Sequence, residues 1–523
     1  MTTTPQPGPA GPPPRKWWPP RRLRVRLAGR SGEAGPPPRK WWPLRPLTVV
    51  VIAVLVILAV VAAVVVPPLF DRCGGGLFDS DGSCIGVSDA RDFGDPELTT
   101  LMASISVAND EVEAGDYYTI GYLVPFEPPG RQTSLSAELR HELAGVHLAQ
   151  VQNNMRDSVK IKVLVGNAGP EGVRAVEVAR QLRAEAGGPD RLRAVVGLGN
   201  SIQTTRGAIE ALTRRQPGGS DEPGPVATIG SRLTADDLTL DRSGRRIEGF
   251  ARVAPTNTGE AAVAVQLIRE KGAQRPTLIS DRSDTDDYVS SLATAFTAAF
   301  GGQASSESFN ADLGSLWIPF DTIKSNLCIE PRPDAVYFAG RGDALAELTR
   351  ALGGRTCTDY RFDIVTGDDI AGLRDAAVAG DPGIPPTLRG IEVRYTGLAN
   401  PALWAPNLGL TFDKSAAEYL GASGIDLTDG VAIMGHDAMM LAVTAIQRAA
   451  RPGGVPATTD AVIQALYSVR GAALLNGASG VISLDECGVP ENKLFPVLKM
   501  NPDGTSTLVR PANGTASRCS GRS

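Results

Sequence analysis

The chain has 523 residues, 42% hydrophobic and 21% charged, with a formal net charge of −5. That length supports more than one packed core, and the acidic balance has the wrong sign for a nucleic-acid binder. Only three histidines occur (His141, His147, His436), and no Cys-x-x-Cys or Cys/His spacing, so neither a metal nor a cofactor is expected.

Residues 1–46 carry ten Lys/Arg against one acid, Glu33, and read as a disordered cytoplasmic tail. The decapeptide AGPPPRKWWP appears in it twice, at Ala10–Pro19 and Ala34–Pro43. The three consecutive prolines of each copy fix φ and remove donors, which makes each copy extended. The second copy abuts residues 47–66, LTVVVIAVLVILAVVAAVVV, a charge-free run of about 30 Å as a helix, enough to cross a bilayer core. A basic leader of 46 residues is too long for a cleaved signal, and LFDRC before Cys73 lacks the small residues of a lipid-attachment site. We read an uncleaved single-pass anchor, with the N-terminus in the cytoplasm and the C-terminal part extracellular by the positive-inside rule. Trp41 and Trp42 then meet the inner interface, with Arg39, Lys40 and Arg45 towards anionic headgroups. For the first copy three readings stay open: the same surface, a partner that reads proline-rich segments, or a duplication without a role of its own.

Removing the tail's +9 leaves the exterior at −14. All six cysteines (Cys73, Cys84, Cys328, Cys357, Cys487, Cys519) follow the anchor, on the oxidising side, so disulfides are expected; sequential pairing closes the shortest loops. Residues 67–117 read as a linker and a helix. The linker is a Gly-rich loop closed by Cys73–Cys84, in which DSDG is a turn rather than a calcium loop. The helix opens at Asp95-Pro96, with Leu98, Leu101, Met102, Ile105 and Ala108 on one face.

From Tyr118 strands alternate with helices: YTIGYLVPF, SLSAELRHELAGVHLAQVQNNM, VKIKVLVG, GVRAVEVARQLRAEAG, LRAVVGLG, TTRGAIEALTRR, PVATIG. After Pro255 the series restarts with AAVAVQLIREKG, PTLISD, DDYVSSLATAFTAAFGG, ASSESFN, DAVYFAG, DALAELTRALGG and FDIVTGDD. This order predicts an α/β fold of two Rossmann-like lobes with parallel sheets and a hinge, preceded by one transmembrane helix. We divide it into lobe 1 (118–255), lobe 2 (256–395), return segments completing both lobes (396–510) and a C-terminal tail (511–523). Ligands of such folds bind beyond the carboxyl ends of the strands, so the site is expected between the lobes. GLGNSI at Gly197–Ile202 resembles a dinucleotide fingerprint but lacks its third glycine and the later acid. It reads better as a strand-to-helix turn whose free amides and Ser201 hydroxyl bind a carboxylate.

The succession IGYLVPF, GVRAVEVARQL, AVVGLGNSIQT, IGSRLTADDLT, GFARVAPTNTGEAAVAVQLIREKGA, DAVYFAG and IVTGDD resembles the type I periplasmic-binding-protein family. The closest branch is the leucine/isoleucine/valine-binding solute receptors of ABC transporters. The most specific piece is Phe250–Thr256, F-x-R-V-A-P-T; GHDAMMLAVTAIQRA, LNGASGVISLDECG and FPVLKMNPDGTSTLV resemble the family's late helix and closing hairpins. The resemblance spans roughly 118–509. It implies that a ligand's α-carboxylate meets Ser201 and the loop ending at Thr234, and that its ammonium meets Asp368. Arg341 and Arg232 depart from the family pattern. They either face an extra anionic group, or turn outwards, or pair with Asp236, Asp237 or Asp343.

The chain is not expected to be an enzyme. No nucleophile elbow, Walker loop or Cys/His pair occurs, and the pairs Asp236-Asp237, Asp286-Asp287 and Asp368-Asp369 read as turns or helix caps. His436 is expected to pack inside a helix interface. The expected partners are a small amino-acid-like solute, the membrane, and an ABC permease or a cytoplasmic signalling partner; nucleic acid is not among them. A protein-interaction module without a small ligand is the further alternative. Scarce lysine, nine of 52 cations, suggests a GC-rich bacterium such as an actinobacterium.

Overall fold

The computed structural model describes residues 73–514, apart from 81, 128–133, 157–158, 216–222, 302–303, 382, 385–387, 405–417, 419, 422 and 451–455. The tail, the proposed anchor at 47–66 and Cys519 lie outside the described residues. Among the described residues no helix is long and apolar enough to cross a membrane.

The first lobe begins with strands β1 (Phe78–Ser80) and β2 (Ser83–Ser88) and helix α1 (Thr99–Glu113). It continues through β3 (Tyr117–Val124), α2 (Ser134–Asn154), β4 (Lys160–Asn167), α3 (Ala175–Ala184), β5 (Leu192–Gly197), α4 (Gln203–Thr213), β6 (Ala227–Gly230) and β7 (Phe250–Arg252). These strands form one seven-stranded sheet in the order β1-β2-β4-β3-β5-β6-β7, parallel from β4 to β7. Buried runs such as Tyr118–Val124 explain the parallel core, since helices cover both faces. Two expectations are corrected here. The segment around Cys73–Cys84 is a hairpin rather than a plain loop, its turn closed by the Gly82 amide on Asp79 Oδ1. Residues 78–88 are also no linker, whereas the helix expected after Asp95-Pro96 is present as α1. β2 pairs antiparallel with β4, covering what would be an exposed edge, and α1 packs on β4 through Met102, Ile105 and Val112.

The second lobe comprises α5 (Asn257–Glu270), β8 (Pro276–Asp281), α6 (Asp287–Phe300), β9 (Ser305–Phe309), α7 (Trp317–Leu327), β10 (Ala335–Ala339), α8 (Gly342–Gly353), β11 (Phe362–Thr366), α9 (Ala371–Val378) and β12 (Ile391–Thr396). The chain then returns to lobe 1 with α10 (Val431–Ala449), α11 (Thr459–Leu466) and the hairpin β13 (Leu475–Gly477)–β14 (Gly480–Ile482). Finally β15 (Leu494–Met500) and β16 (Ser506–Asn513) give the second sheet the order β16-β15-β12-β11-β10-β8-β9. Helices α7 and α9 and strand β12 were not anticipated. Phe320, Ile323 and Leu327 form the buried face of α7, but the exposed Trp317 and Ile318 and the Pro319 after them obscure that period in the sequence.

Cys328 and Cys357 are joined across lobe 2, and Cys487 is also disulfide-bonded. Helix α10 is buried along most of its length and lies tightly against α2. A Cβ on Gly145 would come within 1.9 Å of the Ala432 carbonyl oxygen, and one on Gly435 within 2.3 Å of that of Glu142. Only glycines permit this approach, and it sets the position of α2, which carries two acids of the site.

Candidate ligand site between the lobes

The carboxyl ends of both sheets enclose a cavity of about 40 Å³ between the lobes. Ser201, Thr234, Arg232, Arg341 and Asp368, all singled out in the sequence, line it together. The site is therefore assembled from four separate loops, Arg232 and Thr234 sharing the one after β6.

On lobe 1, Ser201 sits in the turn between β5 and α4. Its Oγ accepts the backbone N–H groups of Thr234 (3.1 Å) and Ala235 (3.3 Å), which ties the two loops into one wall. The turn's amides are less free than expected: Ile202 N–H bonds the Asn200 carbonyl and Gln203 N–H the Thr285 carbonyl of lobe 2. The Ser201 hydroxyl proton remains to be donated. Arg252 of the F-x-R-V-A-P-T segment is fully buried, and its Nη1 donates to the carbonyls of Leu233 (3.2 Å) and Ala235 (2.6 Å). Burial draws its guanidinium pKa down to about 10. That arginine therefore shapes the Thr234 loop, and the loop's own carbonyl accepts the first amide of α5 at 2.8 Å.

The two arginines are neither turned outwards nor paired with Asp236, Asp237 or Asp343. Arg232 donates through Nη1 to Glu138 (2.6 Å) and through Nη2 to Asn200 (3.2 Å), with Nε 3.2 Å from Glu142. Burial raises both glutamates' pKa values, and the Arg232 charge opposes that rise. Arg341 grips Asp286 with Nε (2.7 Å) and Nη2 (2.8 Å), reaches Asp369 with Nη1 (3.0 Å), and lies over the Tyr288 ring. Such bidentate, stacked geometry is what a guanidinium does best, and it leaves Arg341 little capacity for a solute. Asp286 also caps α6 through the amides of Tyr288 and Val289, as the cap reading anticipated.

Asp368 follows β11 and has one side-chain oxygen, Oδ1, that is buried without a hydrogen-bond partner. Burial first, and Asp369 next, push its pKa up to about 7. Sequence reasoning missed Glu138, Arg374, Asp429 and Tyr288. Glu138 sits on a correctly anticipated helix, but nothing in the pattern told an inward acid from a solvated one. Arg374 belongs to the unanticipated α9. Among the described residues the hydrogen-bond partners of the Ser201 hydroxyl oxygen are the Thr234 and Ala235 amides.

The lobes meet closely around the cavity. Tyr288 N–H bonds the Ser201 carbonyl at 3.0 Å, and Arg206 of α4 pairs with Asp287 of α6 at 3.2 Å. Two seven-stranded sheets, three strand crossings between lobes and an enclosed cavity at the strand ends decide the architecture. The chain has the type I periplasmic-binding-protein fold.

Solved structures agree. A leucine-binding protein from Thermotoga maritima superposes with a TM-score of 0.58 at 19% identity, over 76% of this chain and 99% of that one. The substrate-binding protein of a branched-chain amino acid transporter from Streptococcus pneumoniae, in complex with isoleucine, gives 0.55 at 16% identity, over 76% and 100%. An ABC-transporter solute-binding protein from R. palustris in complex with benzoate gives 0.54 at 14%, over 78% and 99%. All three of these neighbours in fold are described as binding proteins. No protein-family model and no curated protein sequence matches the chain.

Proposed function

We propose that this type I periplasmic-binding fold serves as an extracellular, membrane-anchored solute receptor that binds an amino acid or close relative between its lobes. The observation that carries this reading is the unpartnered Asp368 Oδ1 in a cavity whose opposite wall offers the Ser201 hydroxyl and the Thr234 loop. A zwitterion needs donors on one lobe and an acceptor on the other, and in bridging them it holds the lobes closed. A cavity of about 40 Å³ has room for roughly three waters, so a larger solute enters only when the lobes part. The solute-binding neighbours support delivery to an ABC permease as the role. The basic tail with its repeated Pro/Trp segment favours a second reading, in which closure is reported to a cytoplasmic partner.

A ligand that binds the closed form stabilises it by mass action, so the melting temperature should rise with ligand concentration. A panel of amino acids, amides and small carboxylates tests this by thermal shift. No shift with any member would leave the lobes as a protein-interaction module. Protease added to intact cells tests the anchor: residues after Pro67 should be digested and the tail protected.

A further inference from the structure

Beneath Asp368 lies a second acid that this reading does not use. Thr256 caps α5 by accepting the Gly259 amide, which places Glu260 in the helix's first turn, pointing under β11 and β12. Glu260 is 0% exposed. Its Oε2 accepts the Asp368 amide (2.9 Å) and the Thr396 hydroxyl (2.8 Å). Its Oε1, like Asp368 Oδ1, is buried with no partner. The two carboxyl groups are within hydrogen-bonding reach of one another, yet two carboxylates cannot bond without a proton between them.

Among the described residues no neighbouring cation supplies the missing donor. The charged and titratable groups around the pair are Asp369 on the same loop, Arg341 ahead of α8, Arg232 and Asp236 from lobe 1, Tyr288 on α6 and Tyr337 on β10. Arg341 is held by Asp286 and Asp369, and Arg232 by Glu138 and Glu142. The Tyr288 hydroxyl accepts from the Asp369 amide at 3.3 Å.

Resting on the solute-receptor reading, we propose that Glu260 and Asp368 share one proton in the ligand-free protein, and that a solute bearing a protonated amine expels it on binding. The exchange balances. Before binding the pair holds one proton and one negative charge; afterwards it holds two negative charges against the ligand's one positive charge, and the proton leaves to water. The pair and the ammonium together thus keep the single negative charge that the pair held before, while the solute's carboxylate is met by the donors of lobe 1, so the buried pair tolerates the exchange. Burial and mutual repulsion hold the pair's proton to near neutrality, with Asp368 at about 7 and Glu260 raised well above its usual value. Affinity for an amine-bearing solute is therefore level above that range and falls about tenfold per pH unit below it. Glu260 acts here as a specificity-determining residue. A simple aromatic carboxylate such as benzoate brings no donor and would leave both orphan oxygens unsatisfied, so the site selects against it.

Two measurements on the full chain test this. Infrared spectroscopy near pH 6 should show the carbonyl band of a protonated carboxylic acid in the ligand-free wild type, lost in Glu260→Gln. Absence of that band from the wild type, or its persistence in the variant, would overturn the shared proton without reference to any ligand. Calorimetric titration with L-leucine, L-isoleucine and benzoate, in two buffers of different ionisation enthalpy, should show about one proton released per amino acid bound near pH 6. Glu260→Gln should release none and should lose the acid-side fall in affinity. Binding of an amino acid without proton release sinks the exchange alone, and tighter binding of benzoate than of either amino acid refutes the selectivity. If no amino acid of the thermal-shift panel binds, the amino-acid reading and the exchange fail together, whatever the infrared band shows.

Discussion

Arg374 of α9 reaches across the cleft to within 3.9 Å of Glu138 on α2, the carboxylate that Arg232 already holds at 2.6 Å. Its other side lies 4.0 Å from Asp429, which bonds His141 at 2.6 Å. Arg374 makes its closer contact, 3.2 Å through Nε, to its chain neighbour Asp375. A lobe 2 cation thus leans on two lobe 1 acids without full hydrogen bonds to either, as a loose latch would.

Arg374→Ala should weaken closure. Half-satisfied, partly screened pairs are worth about 1 kcal/mol, roughly a fivefold change in the closed-to-open ratio. Small-angle scattering of the ligand-free protein should report a larger radius of gyration; an unchanged radius would remove Arg374 from the closing mechanism.

Arg341→Ala should act on stability rather than on ligand class. It strips Asp286 and Asp369 of their shared cation in a largely buried setting, a loss of about 3–5 kcal/mol. Thermal melting measures it. A variant that melts normally and loses binding of anionic solutes alone would restore the sequence-based view that Arg341 meets ligand.

Ser201→Ala removes the acceptor of two loop amides, so about 1–2 kcal/mol of stability should go along with some affinity. Hydrogen exchange at the Thr234 and Ala235 amides should accelerate. Unaltered exchange there would show that Arg252 alone holds the loop.

Asp437 gives an acid-side prediction. It is fully buried on α10 and accepts the amides of Ala478 and Ser479 at 2.8 Å each, pinning the β13–β14 hairpin. Burial opposes its charge, but the His436 hydrogen bond, the charges of His436 and Lys493 and the Ser479 hydrogen bond outweigh burial and hold its pKa below the usual value. The unfolded chain therefore binds this proton more readily than the folded one. The stability it contributes is complete above about pH 4 and is lost as pH falls through the depressed folded value. Asp437→Asn should flatten the melting temperature against pH in that acid range; an unchanged slope would assign the acid sensitivity to other carboxylates.

The alternation of apolar strands and amphipathic helices from Tyr118 to Asp369 was legible because a parallel sheet demands continuous buried runs such as Ile120–Val124, with helices of period 3.6 between them. The turn at Ser201 was legible too, since strand-to-helix turns announce themselves by glycine and small polar residues, whereas Thr234 and Asp368 were reached only through the family resemblance. What pattern alone could not reach was how charge is shared across the cleft. Glu138, Arg374, Asp429 and Glu260 look in one dimension like any solvated surface residues, being charged members of helices or loops. Whether an acid on a helix faces water or Arg232, and whether Asp368 stands alone or over Glu260, depends on which elements from distant parts of the chain are packed against it. Local residue order settles backbone conformation through short-range sterics and hydrogen bonds. The partners of a buried charge are settled only by tertiary packing, which brings Glu260 and Asp368, 108 residues apart, into contact.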